Sequence, residues 1–193
     1  MSVSVRAVAP ADETKAVDVI VLAFSADPAA RWAWSDPHAY LEHFPRFVRA
    51  FGGGAFRNDS ADQVADVAGA ALWLPPGVEP DEAALTALIE STAPKHLLGD
   101  IFGVLEQMGS HHPTEPHWYL PLIGVDPPQQ GRGHGAALMR HALVRCDRDH
   151  VPAYLESSNP RNIPLYQRHG FEVLGTIQVG SSPSIVPMLR KPR

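Results

Sequence analysis

The spacing of apolar and polar positions divides the chain into helical and extended stretches. Val3, Val5 and Val8 predict a short first strand with Arg6 on its polar side. Asp12 is placed to cap a helix whose apolar face is Val17, Ile20, Val21 and Phe24. Residues 25–38, with Pro28, Trp32, Trp34 and Pro37, read as a loop or broken helix rich in aromatics. Residues 40–51 read as a second helix that stops at Gly52-Gly53-Gly54. Residues 55–74 predict a hairpin, and its second strand, 69–74, ends at Pro75-Pro76-Gly77. Asp81 begins another helical stretch, residues 97–108 form a further helix, and residues 111–116 form a loop.

The second half carries the sharper signals. Residues 117–125 predict a buried strand, and Pro121 within it calls for a bulge or a local edge. Residues 130–135 (QGRGHG) are glycine-rich, and Leu138, Met139, Ala142, Leu143 and Cys146 then form a helical stripe. A strand at 151–155 follows, then a turn at Ser158-Asn159-Pro160 and a short helix at 165–168. Gly170 ends that helix, Phe171, Val173 and Leu174 start another strand, and residues 185–189 form the last. The order is mixed α/β with no internal repeat.

With 193 residues and 45% hydrophobic content, the chain suits a single domain spanning 1–193. The net charge of -5 shows no basic excess for nucleic acid, so an anionic ligand must be held by local geometry. Cys146 is the only cysteine; it excludes an intrachain disulfide and reads as a buried structural thiol. No apolar run approaches the roughly 20 residues of a membrane span, and no signal-peptide pattern opens the chain. The expectation is a cytoplasmic protein, monomer or homodimer, without nucleic-acid or membrane partner. His111 and His112 are adjacent in a loop, a poor ligand pair without a third partner, so they read as surface and no metal is expected.

The glycine-rich turn can point several backbone N–H groups into one concavity, because glycine tolerates positive φ. The following helix N-terminus adds free donors and partial positive charge. Together these suit a phosphate or pyrophosphate, with Arg132 as a charged contact. A P-loop is absent. Gly131, Gly133 and Ala136, with Glu156 beyond, match a dinucleotide fingerprint, but residues 126–130 separate the turn from the strand end and only one β-α unit follows. Gln130, Gly133 and Gly135 satisfy the coenzyme A signature Gln/Arg-x-x-Gly-x-Gly/Ala.

This segment resembles the GCN5-related N-acetyltransferases (GNAT). The resemblance continues through Asn159-Pro160-Arg161-Asn162-Ile163-Pro164-Leu165-Tyr166 and His169-Gly170-Phe171, about a third of the chain. More loosely, Glu115-Pro116-x-Trp118, the Pro-Arg-Asn turn and the C-terminal Arg-Lys-Pro look like puromycin N-acetyltransferase-like members of that family. The resemblance implies a mostly antiparallel central sheet of about six to seven strands, flanked by helices and splayed between its two central strands. It implies acetyl-CoA as co-substrate and direct acetyl transfer to a primary amine of a small molecule or peptide. A non-catalytic acyl-CoA-binding domain and a dinucleotide-dependent oxidoreductase are the alternatives.

Acetyl transfer requires the thioester to be positioned, its carbonyl polarised, the amine deprotonated and the thiolate protonated. The family resemblance implies that residues 130–136 (Gln130, Gly131, Arg132, Gly133, His134, Gly135 and Ala136) hold the pyrophosphate. It implies that the strand edge Leu122, Ile123, Gly124 and Val125 pairs with the pantetheine amides. A free N–H at Leu122 or Ile123 could polarise the carbonyl. Tyr166 is the first choice of general acid, since a phenol stays protonated at neutral pH. Asn159 and Asn162 could hold the pantetheine or orient Tyr166, or simply shape the turn. Glu156 is the candidate base, and His117 and Tyr119 are alternatives. Phe24, Trp32, Trp34 and Tyr40 line an acceptor pocket or pack as core.

Overall fold

The computed structural model describes residues 3–193. Its centre is a seven-stranded sheet in the order β1-β2-β3-β4-β5-β7-β6. The strands are β1 (Val5–Ala7), β2 (Ala61–Val64), β3 (Gly69–Leu74), β4 (Trp118–Val125), β5 (Ala153–Ser157), β6 (Glu172–Val173) and β7 (Val186–Arg190). Every neighbouring pair is antiparallel except β4–β5. That topology agrees with the mixed, mostly antiparallel sheet expected from the resemblance, and it is not the parallel sheet a dinucleotide-binding fold uses.

Helices cover both faces. α1 (Glu13–Ala23), α2 (Pro28–Ala33), α3 (Pro37–Gly52), α4 (Gly54–Arg57), α5 (Glu82–Thr92) and α6 (Leu98–His111) precede β4; α7 (His134–Arg148) and α8 (Ile163–Arg168) follow it. Side chains alternate across β3 as the pleat requires. Leu72 and Leu74 pack with Ile20, Tyr40, Phe44 and Val48 of α1 and α3, while Ala71 and Trp73 pack with Leu138, Met139 and Ala142 of α7. The 25–38 segment contains the short α2, whose N-cap Asp27 accepts from the amides of Ala29 and Ala30. Asp12 does precede α1, but its carboxylate pairs with Arg6, Lys15 and Gln63 instead of capping the helix.

The irregularity at Pro121 sets the geometry of the sheet's middle. Leu74 pairs with Tyr119 and Leu72 with Leu122, so two steps on β3 match three on β4. The extra residue turns both Tyr119 and Leu122 toward the α1 side. β4 pairs with β5 only from Trp118–Ala153 to Leu120–Leu155. Beyond the bulge β4 stays with β3, and Glu156 and Ser157 of β5 stay with Pro187 and Val186 of β7. The two central strands therefore part where sequence placed the splay.

Two contacts fix the elements around that gap. α1 lies directly on β4 at Gly124, where a Cβ would sit 2.7 Å from Ala23 Cβ and 3.2 Å from Ile20 Cα. α7 is tied to β7 by Asp147, whose oxygens accept from both terminal nitrogens of Arg190 at 2.7 and 2.8 Å, with the Arg190 side chain 4% exposed.

Gly124→Val is expected to destabilise the fold by about 1–3 kcal/mol through overpacking, read as a lower urea midpoint. Asp147→Asn strands the buried guanidinium. It is expected to cost about 2 kcal/mol at pH 7, below the roughly 3–5 kcal/mol of a fully buried pair because Asp147 is partly exposed. The Arg190 hydrogen bonds hold the Asp147 carboxyl below the usual carboxylate range. Its contribution is thus present above the ordinary aspartate value near 3.9 and lost as pH falls through the lowered one. Urea unfolding at pH 7 and pH 2.5 should show wild type and variant converging at the acid end.

Candidate active site

After Val125 the chain makes a short turn, Pro127–Gln129, and Gln130 Nε2 donates to Val125 O at 3.1 Å. Gly131 and Gly133 then take φ of +74° and +82°, a region in which an L side chain is strained. α7 starts at His134 with no side-chain cap. Among the described residues no loop or turn carbonyl accepts from the amides of residues 131–136. These donors face a cleft lined by Gln130, Gly131, Gly133, His134, Gly135 and Ala136, by Ile123, Gly124 and Val125, and by Asn159 and Asn162. The His134 side chain is 8% exposed and its Nδ1 has no partner. A run of unused donors at the N-terminus of a 15-residue helix suits a pyrophosphate. Asn159 accepts from the Arg161 amide, shaping the turn as well as lining the cleft.

Two expected cleft residues lie elsewhere. Arg132 is exposed and does not line the cleft; Arg161 and Arg168 bring its cations instead. Leu122 buries its side chain on the α1 side, in a different cavity. Its backbone is also committed. The Asp126 amide donates to Ala68 O, so in an antiparallel ladder Gly124 and Leu122 likewise face β3, and Ile123 and Val125 face the gap. Of the two amides named for the thioester carbonyl, only that of Ile123 is on the open edge.

On the α1 face of the sheet, sharing Phe24 and Asp27 with the cleft, lies an apolar cavity with an empty volume of about 870 Å³, open solvent at its mouth included. Phe24, Trp32, Trp34, Phe47, Ile101 and Met108 are among its walls. Tyr40 is core: its hydroxyl donates to Val21 O at 2.6 Å. Two carboxylates reach the cavity, Asp27 and Glu156. Asp27 is 6% exposed, its Oδ2 accepts from Ser158 at 2.6 Å, and burial pushes its carboxyl up while those hydrogen bonds oppose the shift.

A small passage between the separated strands adjoins both cleft and cavity. It is lined by Phe24, Pro121, Ile123, Asn162, Glu156 and Tyr166, among others. Tyr166 projects from α8, lines both passage and cleft, and packs edge-on against Phe171. Burial first, and the charge of Asp27 second, push its phenol above the ordinary value, so it stays protonated. Glu156 lines both passage and apolar cavity, and its side chain is 3% exposed. It sits within β5, not at its end.

His112 departs most from expectation. Rather than lying in a surface loop, it caps the end of α6 and packs between Tyr119 and Tyr154, with ring centroids 4.6 and 4.5 Å away. Its Nε2 stands 3.1 Å from Glu156 Oε1. His111, by contrast, is half-buried at the helix end and contacts Gln107 O. Among the described residues no group of three or more His, Cys, Asp or Glu is placed to hold a metal. Cys146 is 1% exposed, and burial pushes its thiol up to about 12, which leaves no thiolate for a relay. Sequence reasoning also missed Asp27, Ser158 and Arg168. Their only signal is proximity across the fold, apart from the capping position of Asp27 before Pro28.

The sequence profile of the Acetyltransferase (GNAT) family matches residues 26–171. An uncharacterized N-acetyltransferase of Schizosaccharomyces pombe is 28% identical over 145 residues, 67% of this chain and 59% of that protein. A mycothiol acetyltransferase of Gordonia bronchialis is 34% identical over 114 residues, 58% of this chain and 32% of that protein. The chain thus spans less than two thirds of the curated relatives it matches. A solved Corynebacterium glutamicum structure, described as a histone acetyltransferase HPA2 and related acetyltransferase, is 27% identical with a TM-score of 0.72, covering 100% of this chain and 98% of that one.

Proposed function

Because this chain belongs to the acetyltransferase (GNAT) family and carries its N-acetyltransferase domain, we propose that it moves an acetyl group from acetyl-CoA, by direct transfer, to the primary amine of a small molecule with an apolar body. One observation carries the reading. An amide-lined cleft and an apolar cavity both adjoin a passage between the parted strands, which is lined by both Tyr166 and Glu156.

The amides of residues 131–136, with Arg161 and Arg168, hold the pyrophosphate. The open edge of Ile123 and Val125 pairs with the amides of the pantetheine arm, as an added strand would. The Ile123 amide polarises the thioester carbonyl. An ammonium entering the apolar cavity is drawn to the carboxylates of Glu156 and Asp27. Glu156 takes its proton, the neutral nitrogen attacks the carbonyl carbon, and the C–S bond breaks. Tyr166 gives its phenolic proton to the departing thiolate and is reprotonated by the second proton that the nitrogen sheds as the amide forms. The aromatic walls favour an apolar acceptor over a peptide lysine, since polar groups desolvated there would find few partners. The Glu115-Pro116-x-Trp118 and Pro160-Arg161-Asn162 segments support grouping the protein with puromycin N-acetyltransferase-like members of the family. Fold and grouping do not carry the acceptor with them.

Thiol release from acetyl-CoA over a panel of apolar, polar and peptide amines tests the proposal. Turnover with apolar primary amines is expected; stabilisation by CoA without thiol release from any amine would leave a non-catalytic binding domain. With a turned-over amine, Tyr166→Phe is expected to lower kcat by about 10²-fold or more, with CoA-induced thermal stabilisation retained. Unchanged kcat would remove the acid role from Tyr166.

A further inference from the structure

From Glu156 a line of titratable groups runs away from the passage through His112 and His117, two rings that the transfer chemistry above does not use. At its outer end His117 Nδ1 contacts Glu115 O at 2.9 Å. In the middle His117 Nε2 and His112 Nδ1 are 3.3 Å apart. At its inner end His112 Nε2 is 3.1 Å from Glu156 Oε1, off the line of a formed bond, so this buried oxygen has no satisfied donor. The hydroxyls of Tyr119 and Tyr154, which flank His112, make no well-aligned hydrogen bond, although both lie close to the Glu156 carboxylate. Burial, and then the charge of Glu156, raise both phenols, so neither gives up its proton to serve as the base.

The line ends at solvent. His117 lies in a groove between the segments 75–79 and 113–117, which also holds Glu79, Glu115 and Tyr119. That groove is separate from the cleft and from the apolar cavity, whose walls do not include His117.

Counting protons shows what this line can do. A carbonyl oxygen stands at one end and a carboxylate at the other, and both only accept. Between them are two rings and three gaps, and each gap needs one hydrogen. Two neutral imidazoles supply only two. One gap is therefore unfilled until a further proton arrives, and the inner gap is the one that lacks a formed bond. That further proton neutralises the negative charge of Glu156.

We propose that His112 and His117 are a proton relay that carries the amine's proton from Glu156 along the α1 face of the sheet to the outer groove. The step balances. The proton taken by Glu156 passes from Oε1 to His112 Nε2, the Nδ1 proton of His112 moves to His117 Nε2, and the Nδ1 proton of His117 leaves to water. The vacancy then lies at the outer gap, where water can fill it, and Glu156 is again a carboxylate. The starting tautomers return by exchange with water in the groove. The relay lets the proton leave without re-entering a passage filled by both substrates. It rests on the acyl-transfer reading for the source of its proton, but its tautomer pattern does not.

Nitrogen-15 histidine spectra of the full chain, assigned with His112→Gln and His117→Gln, test the relay between pH 5 and 9. The expected result is coupled titration: the tautomers of both rings change together, and Glu156→Gln uncouples them. Independent titration of the two rings, indifferent to Glu156→Gln, overturns the proposal. Thiol release with 2-phenylethylamine as probe gives the catalytic arm. His117→Ala is expected to lower kcat about tenfold with KM changed less than twofold, and free imidazole to restore most of it. Loss that imidazole does not restore, in a variant with a wild-type melting temperature, also overturns the relay. Coupled titration in a wild-type protein that turns over no amine keeps the proton line and removes the acyl-transfer reading instead.

Discussion

One extra residue in β4 organises the site. Two steps on β3 face three on β4 around Leu120 and Pro121, and a residue without an amide hydrogen sits where the ladder is already broken. Past that point β4 can no longer keep register with a parallel β5 that is held by β7. The separation opens a route between strands in the middle of a sheet that is covered by helices on both faces. It also frees the amide edge of Ile123 and Val125, which in an unbroken sheet would be spent on a neighbouring strand.

The two sides of that opening differ in kind. One presents backbone amides at a helix start, which bind by direction and partial charge and need no net positive protein. This is how a chain of net charge -5 can hold a polyanion. The other side is aromatic and aliphatic, with the carboxylates of Asp27 and Glu156 and the hydroxyl of Ser158 set into it. Asp27 connects the parts: it caps α2, bonds Ser158 just past β5, and raises the phenol of Tyr166 by its charge. A buried carboxylate with three donors is a rigid joint. It couples the helical layer that shapes the apolar cavity to the residue that follows β5, the strand that carries Glu156.

Polar groups left unsatisfied inside this protein concentrate on β4 and β5. Tyr119, Tyr154 and Glu156 all carry buried oxygens without a well-aligned partner. Each such group costs roughly 1–3 kcal/mol. Stability alone does not explain clustering three of them beside two histidines, and sites of proton transfer are where such costs are tolerated.

Much of this was legible in the sequence, because it depends on local rules. Glycines at 131 and 133 before an apolar stripe specify a left-handed turn and an uncapped helix start whatever surrounds them. Pro121 in an apolar run specifies a broken ladder, and a phenol at 166 specifies a protonated acid. Side-chain direction was not legible. Leu122 and Arg132 sit among cleft residues in the sequence, yet the pleat turns one to the opposite side and the turn sends the other to solvent. Nor could adjacency show that of two half-buried neighbours His111 turns back to its own helix while His112, about 100° further round, packs between two tyrosines beside Glu156. Local backbone chemistry is written in consecutive residues, so the sequence by itself determined the left-handed turn before an uncapped helix, the interrupted strand and a protonated phenol at 166. Which distant side chains converge depends on strand register and helix rotation, and only the tertiary structure decided those.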